Sequence, residues 1–311
     1  MLLKLENFDI RAVKPFACDL LIVYACEESR ASHILLSDVL VASEIFVIGE
    51  SEQSSFKSER SGDYKGEVWP SALDALRLII KKCTPSKIGL DISCMPRTVM
   101  AAVFAELVTI AREHEIELIA LYSLAAFSSP PEVEEANESI EPVHSAFAGW
   151  SSPEGKPISL VIGLGYERQK AEGASEFFEP SDQWVFVPNS PIEEFLTRVE
   201  LNNRNLLDKT DRGRLISYQV EDPESTYGQL ELVVSSLSRY SNPVLLPFGP
   251  KIFFFLTLVL CLSHPELGVW RVTGRDKPEG TEIQASGEII GVRCIFGPSH
   301  TARQSWVIGV R

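Results

Sequence analysis

The chain has 311 residues, 45% of them hydrophobic, and its 43 acidic and 29 basic side chains leave a formal net charge of −14. That is material for one large or two ordinary domains with a buried core. The acidic balance argues against duplex DNA binding and against docking on an anionic membrane, though it leaves room for a local basic pocket.

Asp19-Leu20-Leu21-Ile22-Val23-Tyr24-Ala25 is a continuous apolar run, as expected of a strand covered on both faces. Cys26-Glu27-Glu28-Ser29-Arg30 follows and is expected to open a helix reaching Leu40. Glu44 to Ile48 is a second strand, and the polar stretch 51–65 reads as a loop. Pro70 suits an early helical position, with Leu73, Leu76, Ile79 and Ile80 giving a helical stripe to Lys82. A strand over Ile88 to Ile92 runs into the turn Ser93-Cys94-Met95-Pro96-Arg97, followed by a helix to about His114 and a strand over Glu117 to Leu121. The acidic segment Ser128 to Pro142 carries three prolines and reads as a linker, which Ser151 to Pro157 extends. A domain boundary is therefore expected near residue 150, giving halves 1–150 and 151–311.

The second half repeats this order. Ile158 to Ile162 is a buried strand followed by Gly165-Tyr166-Glu167-Arg168-Gln169-Lys170-Ala171, and Trp184 to Val187 is the next strand. A helix over Pro191 to Leu207 has no counterpart in the first half. Pro223 opens a helix striped by Leu230, Val233, Val234 and Leu237. Val244 to Leu246 leads into Pro247-Phe248-Gly249-Pro250-Lys251, the apolar helix after it, and a strand over Val269 to Val272. Pro70 to Arg97 spans 27 positions and Pro223 to Lys251 spans 28. The segments 280–295 and 306–310 read as added strands or a hairpin outside the repeat. This pattern predicts an α/β protein of two tandem Rossmann-like units with mostly parallel sheets, related by internal duplication. Ligands of such sheets lie beyond the carboxyl ends of the strands.

The first amides of a helix have no partner within it and suit an anion, so Arg97 and Lys251, each heading a helix, are candidates to fix a phosphate. Asp91 and Ser93 would bond a sugar or phosphate, or else cap the helix. Aligning Glu27 with Glu167 also aligns Arg30 with Lys170. These pairs either form ion pairs on a helix start or place cations on phosphate and carboxylates on ribose hydroxyls or a base, with Arg168 a further candidate. Gly163-Leu164-Gly165 starts like a dinucleotide fingerprint, but Arg168 stands where the third glycine belongs. Cys94 borders the anion turn, which would lower its thiol pKa, yet no histidine is near in sequence.

The six cysteines, Cys18, Cys26, Cys83, Cys94, Cys261 and Cys294, show neither a Cys-x-x-Cys pair nor a metal-ligand spacing. They read as reduced, mostly buried thiols of a cytoplasmic protein, with no metal and no cofactor expected. The acidic residue in Met1-Leu2-Leu3-Lys4-Leu5-Glu6 argues against a signal peptide. The longest apolar run, Ile252 to Leu262, is about half of what a bilayer requires.

Asp91-x-Ser93-x-x-x-Arg97 resembles the second signature of CARF-type ligand-sensing domains: Asp or Asn, then Ser or Thr, a Gly, and a terminal basic residue. Gly249 and Lys251 match the same pattern, whereas Leu245 and Pro247 replace its acidic and hydroxyl residues and Met95 replaces the first half's Gly. Two such units in one chain resemble the SAVED arrangement. The resemblance implies binding of a nucleotide or cyclic oligonucleotide, with output through a partner or effector subunit in prokaryotic defence or signalling. Two other readings stand beside it. One is a hydrolase or transferase acting on a phosphorylated, nucleotide-like substrate through Asp91, Glu27 and Glu167. The other is a non-catalytic structural subunit of a complex.

Overall fold

The computed structural model describes residues 1–11, 14–26, 28–49, 55–58, 62–65, 67–128, 138–149, 155–167, 169–273 and 283–298. The backbone alone is described at 29, 55–58 and 62–65. The chain forms two compact units, one of residues 1–123 and 289 onward, the other of Leu124–Glu288.

In chain order the first unit holds β1 (Leu2–Asn7), β2 (Phe16–Ala25), a 3-10 turn (Ser29–Ser32) and α1 (His33–Leu36). It continues with β3 (Leu40–Gly49), β4 (Ser55–Ser58), β5 (Gly62–Lys65), β6 (Glu67–Val68), α2 (Ala72–Cys83), β7 (Lys87–Asp91), α3 (Arg97–Ala111) and β8 (Ile116–Ala125). Its sheet has the order β6-β3-β2-β7-β8, parallel throughout, extended past β8 by a late strand and by β1. Leu20 to Ala25 of β2 are all buried, as the unbroken apolar run requires of a central parallel strand. The helix expected up to Leu40 is instead a 3-10 turn and one turn of α-helix. Ser37 Oγ donates to the carbonyl of Ile34, competing with helix propagation, and β3 has begun by Leu40.

The second unit holds β9 (Ser139–Pro142), β10 (Ile158–Gly163), α4 (Lys170–Phe178), β11 (Asp182–Asn189), α5 (Glu193–Asn202) and α6 (Arg204–Lys209). It then runs through β12 (Leu215–Gln219), α7 (Pro223–Leu237), β13 (Asn242–Pro247), α8 (Lys251–Leu260) and β14 (Gly268–Thr273). Its sheet order is β12-β11-β10-β13-β14-β9, parallel except for β9 against β14. Leu160, Ile162, Val185, Val244 and Leu246 from the strands pack with Ala171, Ala174 and Phe178 of α4. Val199 and Leu206 join the same core, so the segment expected as one extra helix is two helices that roof it.

Last comes β15 (Ala285–Phe296), which pairs antiparallel with β1 and lies between β1 and β8. The units therefore part at 123/124 and 288/289, not at residue 150. The proline-rich segment expected to be a linker contributes β9 to the second sheet, and the chain after 288 returns to the first. The segment 306–310 lies outside the described residues.

The five parallel strands of each unit share one order: β6-β3-β2-β7-β8 matches β12-β11-β10-β13-β14. In both, the first strand (β2, β10) has its next strand on one side and its fourth on the other. The chain thus reverses its winding between β2 and β7 and again between β10 and β13. Among the described residues, no helix is long and apolar enough to cross a membrane.

Candidate functional site

Crevices of open α/β sheets form where the winding reverses, beyond the carboxyl ends of the two strands concerned. In the first unit that position is flanked by the segment after β2, from Cys26 to Arg30, and by the turn after β7, from Ile92 to Arg97. In the second it is flanked by Leu164 to Lys170 after β10 and by Phe248 to Lys251 after β13. Every candidate site residue with described coordinates lies in or beside one of these four segments. Glu27 and Arg168 lie outside the described residues.

Arg97 and Lys251 take equivalent places. Each is the first residue of its helix, and in each case the capping residue is a proline, Pro96 or Pro250, in an extended conformation (ψ 145° in both). Proline has no side-chain acceptor, so the first-turn amides receive none from the cap. The first intrahelical bonds run from Met100 N to the Pro96 carbonyl (2.8 Å) and from Phe254 N to the Pro250 carbonyl (3.2 Å). Both helices have almost wholly buried bodies: Val99 to Phe104 and Ile252 to Leu260 are all buried. Each half-exposed cation thus sits on the end of a helix fixed in the core.

Around the first unit's turn the polar residues bond mostly to one another. Asp91 Oδ1 accepts from Ser93 N (2.9 Å), and Ser93 Oγ accepts from Ser123 N (2.8 Å) at the end of β8. Both side chains are buried, so Asp91 and Ser93 brace the turn from within. Arg30 is buried as well, only 4% exposed. Its Nη2 donates to Glu28 Oε2 (2.7 Å) and its Nη1 to the Ser123 carbonyl (3.2 Å). The helix expected to open here is instead the 3-10 turn Ser29–Ser32, in which Arg30 is buried. Burial works against the Arg30 charge, but Tyr122, Glu28 and Cys94 more than offset it, and its pKa is raised. His33 Nδ1 shares a 2.6 Å hydrogen bond with Ser123 Oγ.

The Cys94 thiol pKa is raised, not lowered, chiefly by its hydrogen bond with Cys26 and then by burial and the Glu28 charge. That corrects the expectation of an activated thiolate, because the adjacent groups are neutral or negative apart from Arg30. The Cys94 thiol also donates to Glu28 Oε2 (3.3 Å). Cys26, Glu28 and Cys94 thereby form a cluster whose ligand atoms lie within 4.8 Å of one another. Local spacing carries no sign of it, since 66 positions separate Glu28 from Cys94.

In the second unit the two turns touch through glycines. Phe248 N and Gly249 N both donate to the Gly163 carbonyl (2.8 and 3.1 Å). A Cβ on Gly249 would lie 2.6 Å from the Leu164 carbonyl oxygen, and one on Gly165 would lie 2.6 Å from that of Phe248. The side chain of Glu167 folds over Gly165, and its buried Oε2 has no hydrogen-bond partner among the described residues. Lys170 is the first residue of α4, behind Gln169 in a left-handed conformation (φ 58°).

Three residues that the sequence reading passed over hold this loop. Asn203, at the break between α5 and α6, donates from Nδ2 to the Gly165 carbonyl (2.8 Å) and to the Val199 carbonyl (2.8 Å). Asn202 Nδ2 donates to the Tyr166 carbonyl, and the Phe195 ring lies 5.9 Å from that of Tyr166. An Asn pair inside an otherwise helical stretch was the available signal. No family model and no curated protein matches the chain.

Proposed function

We propose that this protein binds a phosphate-bearing, nucleotide-like ligand and passes the binding event to a partner or effector protein. The observation that supports this is the repeated joint. Twice, beside a reversal of winding, a proline-capped buried helix presents its first amides together with a basic first residue, Arg97 or Lys251. A cation in that position opposes the helix macrodipole, a cost that a bound anion removes. Glu167, with a buried oxygen that accepts no bond from the described residues, suits a donor such as a ribose hydroxyl. The shared strand order is what an internal duplication would leave. The resemblance of Asp91-x-Ser93-x-x-x-Arg97 to CARF-type signatures makes a cyclic oligonucleotide the first ligand to try.

The same Glu167 supports a second reading, a hydrolase or transferase on such a ligand with Glu167 as general base. Melting curves with a panel of mono-, di- and cyclic nucleotides test both. A ligand at 100 times its Kd adds about 2.7 kcal/mol, and Arg97→Ala and Lys251→Ala should each diminish that gain. Chromatography of the same samples separates the readings, since intact ligand means a sensor and conversion means an enzyme. If no nucleotide raises the melting temperature, both fail, and the structural-subunit reading takes their place.

A further inference from the structure

We propose that Cys26, Glu28 and Cys94 form a binding site for one zinc-like divalent cation. Cys26 and Glu28 follow β2 and Cys94 follows β7, so the fold brings the three together at the reversal of winding in the first unit. Among the described residues, this is the one group of His, Cys, Asp and Glu side chains with metal-holding geometry.

The distances fit. All ligand atoms lie within 4.8 Å of one another, and Cys94 Sγ is 3.3 Å from Glu28 Oε2. In a tetrahedral zinc site, with Zn–S about 2.3 Å and Zn–O about 2.0–2.2 Å, neighbouring ligand atoms are roughly 3.5–3.8 Å apart. Small side-chain rotations close that difference.

The charges fit as well. Two thiolates and a carboxylate carry three negative charges, and a divalent cation leaves one. Arg30, buried and 2.7 Å from the Glu28 carboxylate, cancels it. Arg30 is in turn held by the Ser123 carbonyl, which fixes the carboxylate's orientation as outer-shell partners of metal ligands do. Binding forms two metal–sulfur bonds and one metal–oxygen bond, and the two thiol protons go to solvent. Paired thiolates select a zinc-like ion over magnesium or calcium. Cys94 is buried, but Cys26 is half-buried and the Glu28 side chain is 22% exposed, which leaves a route for the ion. Three protein ligands leave a fourth position for water or a ligand atom, the pattern of open zinc sites. None of this depends on the phosphate reading.

The test uses the full chain, reduced and freed of metal, titrated with Co²⁺ and then Zn²⁺. One equivalent of Co²⁺ should produce a thiolate-to-cobalt charge-transfer band that Zn²⁺ abolishes. Cys26→Ser and Cys94→Ser should each weaken binding by at least about 10–100-fold, the range set by loss of even an outer-shell partner. Cys83→Ser, at an exposed site, should change nothing. Melting curves without metal report whether each variant folds, and Glu28→Gln supplies a variant that leaves the buried Cys94 in place. Absence of a stoichiometric band overturns the proposal. So does a band unchanged in folded Cys26→Ser and Glu28→Gln.

Discussion

Replacing Gly249 by alanine probes the packing on which the second unit's site depends. The added Cβ would lie 2.6 Å from the Leu164 carbonyl oxygen and 3.2 Å from the Tyr218 hydroxyl. The nearer neighbour is backbone at the end of β10, so no rotamer change relieves the clash. Either the turn after β13 or the strand end must move, which strains the bonds from Phe248 N and Gly249 N to the Gly163 carbonyl. Overpacking of this kind costs about 1–3 kcal/mol. At about 2–4 °C per kcal/mol for a unit of this size, the melting temperature should fall by about 2–12 °C. Gly228 makes the contrast: it is exposed inside α7, and its Cβ would meet nothing within 4 Å. Gly228→Ala should stabilise by about 0.5–1 kcal/mol through helix propensity and a less entropic unfolded chain. Urea unfolding followed by tryptophan fluorescence, to which Trp184 and Trp270 of this unit contribute, reads both variants. If Gly249→Ala unfolds with the parent chain, or if the two variants shift the same way, the claimed contact between the turns is wrong.

Two further outcomes concern single hydrogen-bonding groups. Asp19 Oδ2 accepts from Ser86 N (2.8 Å), Ser86 Oγ (3.0 Å) and Lys87 N (2.9 Å), and the Lys87 amide is the chief cause of its lowered pKa. A carboxylate whose folded pKa is depressed stabilises above its unfolded value of about 3.9 and loses that contribution as pH falls through the folded value. Asp19→Asn should therefore lower the urea midpoint at pH 7 and leave a shallower loss of stability below about pH 4; an unaltered acid limb would contradict this. Asp222 caps α7, its Oδ1 accepting from Ser225 N (3.1 Å). Asp222→Ala should cost about 0.5–2 kcal/mol, measured by the same unfolding curves.

What could be read in advance follows physical range. Central parallel strands such as Leu20 to Ala25 announce themselves, because burial on both faces demands an unbroken apolar run. Pro96-Arg97 and Pro250-Lys251 mark helix starts locally, and both fall at the expected joint. β12 was missed because it is an edge strand in which Tyr218 alone is buried, which leaves no period to detect. The break between α5 and α6 depends on an Asn203 bond to Gly165, 38 positions away. The inward turn of Arg30 depends on Ser123, 93 positions away, and the thiol-carboxylate cluster on a contact across 66. Such long-range partners leave no local trace in a single sequence.

The placement of β15 bears on how the polypeptide is assembled on the ribosome. β1 is made long before β15, yet its place in the sheet lies beyond β15, whose Val292, Cys294 and Phe296 are buried. The nascent chain must therefore expose the flank of β8 while everything from β9 to β14 is translated, and the inserted unit can close before the one that encloses it. Nascent chains stalled short of residue 285 would leave that flank with unpaired backbone, the kind of edge on which chains associate wrongly.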